Sequence, residues 1–219
     1  MGKVVKIKSL SGITLNTKDK FVDDNITIIP ALPVYQGEEE SKLYSEVDLI
    51  LTRKITSYSN TTLQEVGGYA FAGCSKLTEL YLPKATKISS YGIQSTKVKK
   101  LHLPEVKTIG SNGIYQNFEL EELRLDNINS LVSGAIRGSV KLIKLIITNP
   151  SVVCKAEASN VFAECYHLSG TVHATYNPEG LQDGRIYVPD HLVEEYKVAS
   201  YWSAFANIIV PLSELGEVL

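Results

Sequence analysis

The chain is short of cysteine, of net charge and of long apolar runs. Three cysteines, Cys74, Cys154 and Cys165, do not make a disulfide framework. Lys and Arg number 22 against 24 Asp and Glu, a net charge of −2. That balance argues against a broad nucleic-acid footprint, which needs clustered excess basic residues. No stretch approaches the ~18 continuous apolar residues of a membrane-spanning helix. No long apolar segment follows the charges of the first eight residues, so no secretory leader is legible there. There is no Gly-x-Ser-x-Gly elbow, phosphate loop or Gly-x-Gly-x-x-Gly. His102, His167, His173 and His191 lack the partner spacing of a metal site. The expectation is a protein with no catalytic residues, no metal and no cofactor.

What is present is a core-forming composition with a strong period. The 219 residues are 44% apolar, enough for one domain with a small appendage. Leu77-x-x-Leu80-x-Leu82 recurs as Val98-x-x-Leu101-x-Leu103, Leu120-x-x-Leu123-x-Leu125 and Leu142-x-x-Leu145-x-Ile147. The steps at the central leucine are 21, 22 and 22 residues, and Ile55-x-x-Tyr58-x-Asn60 is a degenerate earlier copy. A second apolar position, held by Val66, Ile88, Ile109 and Leu131, follows each short strand, and a small-residue turn follows that. One such coil cannot bury its own apolar face, whereas stacked coils share a continuous core. The sequence therefore predicts a β-rich repeat solenoid of about five coils, with short parallel strands and loop or 3₁₀ returns. The distance from Leu142 to Leu168 is 26, which places an insertion near 155–160.

The ends read differently. Val4, Val5 and Ile7, Ile13–Leu15, and Ile26–Ile29 are candidate strands of a small N-terminal β module over 1–32. A linker and lead-in strand, with Pro33 and Glu38–Glu40, covers 33–52, and the solenoid covers 53–175. The remainder, 176–219, is a helix-containing cap: Ile186–Val188 is a strand, and Asp190 is placed to N-cap a helix through Ala199. Leu192, Val193, Tyr196, Trp202, Phe205, Ile208 and Ile209 are the residues expected to close the last coil. Cys74 and Cys165 occupy equivalent turn positions and read as buried small residues, too many coils apart to pair. Pairing of Cys154 with Cys165 is left open.

Alternation along the strands points two columns of side chains outward. One column is Glu79, Lys100, Glu122 and Lys144, a charge ladder that fixes register and solubility. The other runs through Tyr81, His102 and Arg124, an aromatic face, an imidazole and a guanidinium in a row. Such a strip suits a sugar ring or an anionic group and is the candidate ligand-binding site.

Gly68-Tyr69-Ala70-Phe71-Ala72-Gly73-Cys74-Ser75-Lys76-Leu77, with Leu80-Tyr81-Leu82-Pro83, resembles the BspA-like bacterial leucine-rich repeats. Gly92, Gly113 and Gly134 stand for Ala70 in the looser copies, and there is no regular asparagine ladder. The head, with Leu15–Lys18 and Ile26–Pro30, resembles short β modules of gut phage and prophage tail proteins. The resemblance implies a non-enzymatic recognition protein on a virion or an extracellular surface, contacting a host glycan or protein. Virion or tail proteins would be held through the N-terminal module, with a homotrimer as a possible assembly. A bacterial adhesin or secreted interaction protein, or a spacer with no ligand, are the alternatives.

Overall fold

A computed structural model of the chain describes residues 20–22, 28–29 and 56–216. The chain is a repeat solenoid, and its parallel strands fall into columns. The front column holds Lys20–Val22, Ser57–Ser59, Glu79–Tyr81, Lys100–Leu103, Glu122–Leu125, Lys144–Ile147, Arg185–Val188 and Ile209–Pro211. It is divided into a three-stranded and a five-stranded sheet, with no ladder joining Glu79–Tyr81 to Lys100–Leu103. The division falls at the 21-residue step, where the coil is one residue short. A second column is a continuous six-stranded sheet running from Ile28–Ile29 to Lys155–Ala156. A third side carries the pair Ile93–Gln94 and Ile114–Tyr115.

The period is enforced from inside. Leu80, Leu82, Leu101, Leu103, Leu123, Leu125, Leu145 and Ile147 are all buried, as are Val66, Ile88, Ile109 and Leu131. At about 25 cal/mol per Å² of apolar surface, this shared core is the main stabilising term. The turns are set by backbone conformation. One corner is left-handed at Tyr69, Tyr91, Asn112 and Gly134, and a second at Gly73, Ser95, Gln116, Gly138 and Glu164. Only glycine adopts this region without cost, so each non-glycine corner needs contacts to hold it. Tyr69 and Tyr91 supply one, stacking at 4.8 Å, and Asn112 Nδ2 donates to the Tyr91 hydroxyl at 3.0 Å.

The register corrects three expectations. Gly134 belongs to this left-handed corner; the place of Ala70, Gly92 and Gly113 is taken by Ala135, as the bonds Ile93 N–H to Gly113 O and Ile114 N–H to Ala135 O show. The insertion is not confined to 155–160. Glu122 pairs with Lys144 at a step of 22, but Ser130 pairs with Lys155 at 25, so three of the four extra residues precede Lys155. Asp190 does not cap a helix. It starts a 3₁₀ turn, Asp190–Leu192, its carboxylate accepts from Ser213 N–H at 3.1 Å, and the α-helix is Val193–Val198.

Of the head, Lys20–Val22 pairs with Ser57–Ser59, and Ile28–Ile29 pairs with Glu65–Val66. Both offsets are 37 (57 − 20 and 65 − 28), one coil of 22 plus 15 residues. The candidate strands at Val4–Ile7 and Ile13–Leu15, and the linker 33–52, lie outside the described residues.

A buried column of small and polar residues runs through the turns as Cys74, Thr96, Asn117, Ser139 and Cys165. Asn117 joins its neighbours: Oδ1 accepts from Thr96 N–H at 2.9 Å and Thr96 Oγ1 at 2.7 Å, and Nδ2 donates to Ile93 O at 2.8 Å. Ser139 Oγ is buried with no hydrogen-bond partner. An unsatisfied buried hydroxyl costs about 1–3 kcal/mol. Ser139→Ala is therefore expected to raise stability by about 1 kcal/mol in urea unfolding. A loss of stability would show that the hydroxyl is satisfied after all. Cys165 Sγ donates to Ile136 O at 2.9 Å, no disulfide joins it to Cys154, and burial pushes both thiols up to about 12. That supports the reading of Cys165 as structural rather than reactive.

The far end is closed by side chains. Trp202 is buried against Phe162 and against the buried Tyr196. Tyr196 Oη accepts from Cys154 N–H at 2.8 Å, and Trp202 Nε1 donates to Cys154 O at 2.6 Å. Two side chains thus satisfy the groups that a further strand would have bonded. No described helix is long and apolar enough to cross a membrane.

Candidate functional site

The outward columns exist as the alternation requires, and the structure shows what each member touches. In the charge column, Lys100 pairs with Glu122 at 3.9 Å and Glu122 with Lys144 at 3.4 Å. Arg185 continues the column beyond Lys144. Glu79 does not join the run: it lies across the division of the front sheet, beside Ser57. Exposed pairs of this kind contribute roughly 0–1 kcal/mol each, so they set register more than stability.

In the second column His102 lies beside Arg124, and Arg124 beside Ile146. Asp126 gathers the two polar members. His102 Nε2 contacts Asp126 Oδ2 at 2.6 Å, Arg124 Nε donates to Oδ1 at 2.8 Å, and Thr148 Oγ1 donates to Oδ1 at 2.7 Å. Among the described residues the terminal nitrogens of Arg124 make no hydrogen bond, so the guanidinium is steered but not used up. Tyr81 is 58% exposed on the neighbouring three-stranded sheet and pairs in register with Ser59. The structure therefore brings His102 and Arg124 together and sets Tyr81 apart from them by the width of the division.

Asp126 was not among the expected site residues. It follows Arg124 by two positions and so shares its outward face, a signal available from strand alternation alone. Thr148 lies one repeat step of 22 away but His102 lies 24 away, so the cluster does not fall on a single column. Burial by itself raises the Asp126 pKa, but the hydrogen bonds from His102, Thr148 and Arg124 outweigh it and hold the carboxyl below its ordinary value. A depressed folded-state pKa adds stability above the unfolded value and loses it as pH falls through the folded one. Asp126→Asn is thus expected to destabilise by about 1–2 kcal/mol at pH 7. The gap to wild type should narrow as pH falls below the ordinary aspartate range. A gap that is constant between pH 7 and pH 3 in urea titrations would contradict this.

A second polar-aromatic row, also not anticipated, lies along the turns. Tyr91 meets Tyr115 edge-on at 5.6 Å, Arg137 sits 5.9 Å from the Tyr115 ring, and Arg137 Nη2 binds Glu164 at 2.6 Å. Tyr69 and Tyr91 are one repeat step of 22 apart, but Tyr115 comes from the strand after the corner, so a column reading does not find the whole row. Its rings face each other rather than solvent, and its charges are paired, so it reads as scaffold. Among the described residues no group of three or more His, Cys, Asp or Glu could hold a metal ion.

The repeats match the BspA type leucine-rich repeat region over residues 52–169, in six copies. A leucine-rich repeat protein of T. pallidum, known from a crystal structure, is similar at 19% identity. That similarity covers 77% of this chain and 82% of the other, with a TM-score of 0.42. No curated protein matches the chain.

Proposed function

The chain belongs to the BspA type leucine-rich repeat family, and from that premise we propose that it is a non-enzymatic module that binds a macromolecular partner through its front strands. The observation that carries this reading is the second outward column: exposed Tyr81 and, across the division of the front sheet, a His102–Asp126–Arg124 cluster whose terminal guanidinium nitrogens are unspent. Repeats of this type are often found on extracellular surfaces and engage other proteins. The partner chemistry that fits is a protein or glycan of a host surface offering an apolar ring or aliphatic face with a nearby anionic group. Each such contact is weak, and copy number supplies the avidity.

The finer reading is a phage-borne module, held on the particle through residues 1–32. It is supported by the sequence of the head, Leu15–Lys18 with Ile26–Pro30. Mass spectrometry of purified particles tests it, and absence of the chain from them would remove it. A homotrimer belongs to the same reading and is tested by light scattering of the full chain.

Asp126 dictates which variants test the strip. Alanine at both His102 and Arg124 would strip a half-buried carboxylate of two donors and lower stability for reasons unrelated to binding. Tyr81→Ala, which removes an exposed ring, is the clean probe. It is expected to weaken adsorption to host cells at least tenfold with an unchanged melting temperature. Combining it with Arg124→Gln should deepen the loss. Wild-type adsorption in the double variant would sink the proposal.

A further inference from the structure

The six-stranded sheet stops at Lys155–Ala156, and no described strand continues its ladder. Successive residues of a parallel strand turn their N–H and C=O toward opposite neighbours. Lys155 N–H bonds inward to Asn129 O at 2.8 Å, and Glu157 N–H to Leu131 O at 2.9 Å. Cys154 and Ala156 therefore face outward. Cys154 is closed by Tyr196 and Trp202, as described above. Ala156 is the next outward residue, and the cap stops short of it. Among the described residues neither its N–H nor its C=O is hydrogen-bonded, although the residue is buried. An unpaired donor and acceptor at a sheet edge are a template for another extended chain.

This pair borders a cleft of about 600 Å³. One wall is the edge itself, Val153–Glu157, and the other is the cap turn, Ala199–Trp202. In that turn Tyr201 is held in the left-handed region at φ 65° and the residue is 46% exposed.

We propose that this cleft binds an extended polypeptide segment, which adds one strand to the sheet edge at Ala156. One donor and one acceptor on the same residue of a strand edge are what another extended backbone complements. The walls offer Val153, Ala199 and Tyr201 to its side chains. The flanking charges, Lys155 and Glu157, are paired with each other at 3.7 Å, so the edge selects an uncharged segment. This site lies on a different sheet from Tyr81, His102 and Arg124 and does not depend on the reading given for them.

The test uses the full chain labelled with ¹⁵N. The probe is a capped hexapeptide of alternating valine and threonine. In the free protein the Ala156 amide should exchange at least tenfold faster than those of Lys155 and Glu157. On titration it should shift downfield, and its exchange should slow at least tenfold. Ala156→Pro removes the outward N–H and no ladder bond, a substitution that edge strands tolerate, and is expected to weaken binding at least tenfold. Tyr201→Gly, which suits the backbone and deletes the ring, should weaken it in an otherwise native spectrum. Tyr81→Ala should bind the hexapeptide as wild type does. A slowly exchanging Ala156 amide in the free chain would overturn the proposal. So would an unmoved Ala156 resonance at millimolar peptide, equal binding by an alternately N-methylated peptide, or loss of binding in Tyr81→Ala.

Discussion

Trp202→Ala is expected to lower the unfolding free energy by about 3–5 kcal/mol, the largest loss of any single substitution considered for this chain. The indole is 1% exposed and packs on Phe162 at 5.5 Å and edge-on to Tyr196 at 5.2 Å. Truncation opens a cavity among these rings. It also leaves the Cys154 carbonyl, which accepts from Nε1 at 2.6 Å, without a partner in a dry environment. The two losses separate. Trp202→Phe keeps most of the volume and loses only the donor, so it should cost about 1–3 kcal/mol. Because each coil contacts only its neighbours, the damage should begin at the end of the solenoid. Hydrogen exchange in Trp202→Ala should accelerate first at residues 154–157 and least around Leu80–Leu103. Uniform acceleration would mean that the cap is not a separate closing element. A loss under ~1 kcal/mol would mean that the end coil repacks.

Gly113→Ala carries the second large effect. A Cβ there would sit 2.6 Å from Ile109 Cγ2. It would also lie 3.0 Å from Gly110 O, but that contact belongs to the turn itself, since Ala70 and Ala135 make the same bond to Gly67 and Val132. What differs between coils is the residue four positions earlier. Ile88 and Ile109 precede Gly92 and Gly113, whereas Val66 and Leu131 precede Ala70 and Ala135. The two positions share one volume, and the isoleucine Cγ2 stands where the missing methyl would go. Overpacking of this kind costs about 1–3 kcal/mol. Ile109→Leu reproduces the Leu131–Ala135 arrangement, so adding it to Gly113→Ala should return at least half the loss. A strictly additive double variant would show that backbone, not side-chain volume, is the obstacle.

The repeat and the buried faces were legible because one physical demand, burial of the same stripe in every coil, imposes one spacing. Leu80, Leu101, Leu123 and Leu145 had to recur, and they are buried in register. Features that depend on contacts off that spacing were not legible. Asp126 meets His102 at a step of 24, and Asp190 is taken by Ser213 from a later turn. The head illustrates the same limit. A strand was expected over Ile26–Ile29, and Ile28–Ile29 is one, but its pairing with Glu65–Val66 at a step of 37 carries no periodic mark. Tyr196 and Trp202 were expected to close the core; that their polar atoms would stand in for a missing strand depends on geometry at Cys154.

The division of the front sheet has a mechanical consequence. Backbone ladders are the stiff seams of a stacked-coil protein. Here the second sheet is stitched through six strands, while the front is open along one line between Glu79–Tyr81 and Lys100–Leu103. The slit passes between Tyr81 and His102, so a change in the spacing of these two side chains would stretch no ladder of the front sheet.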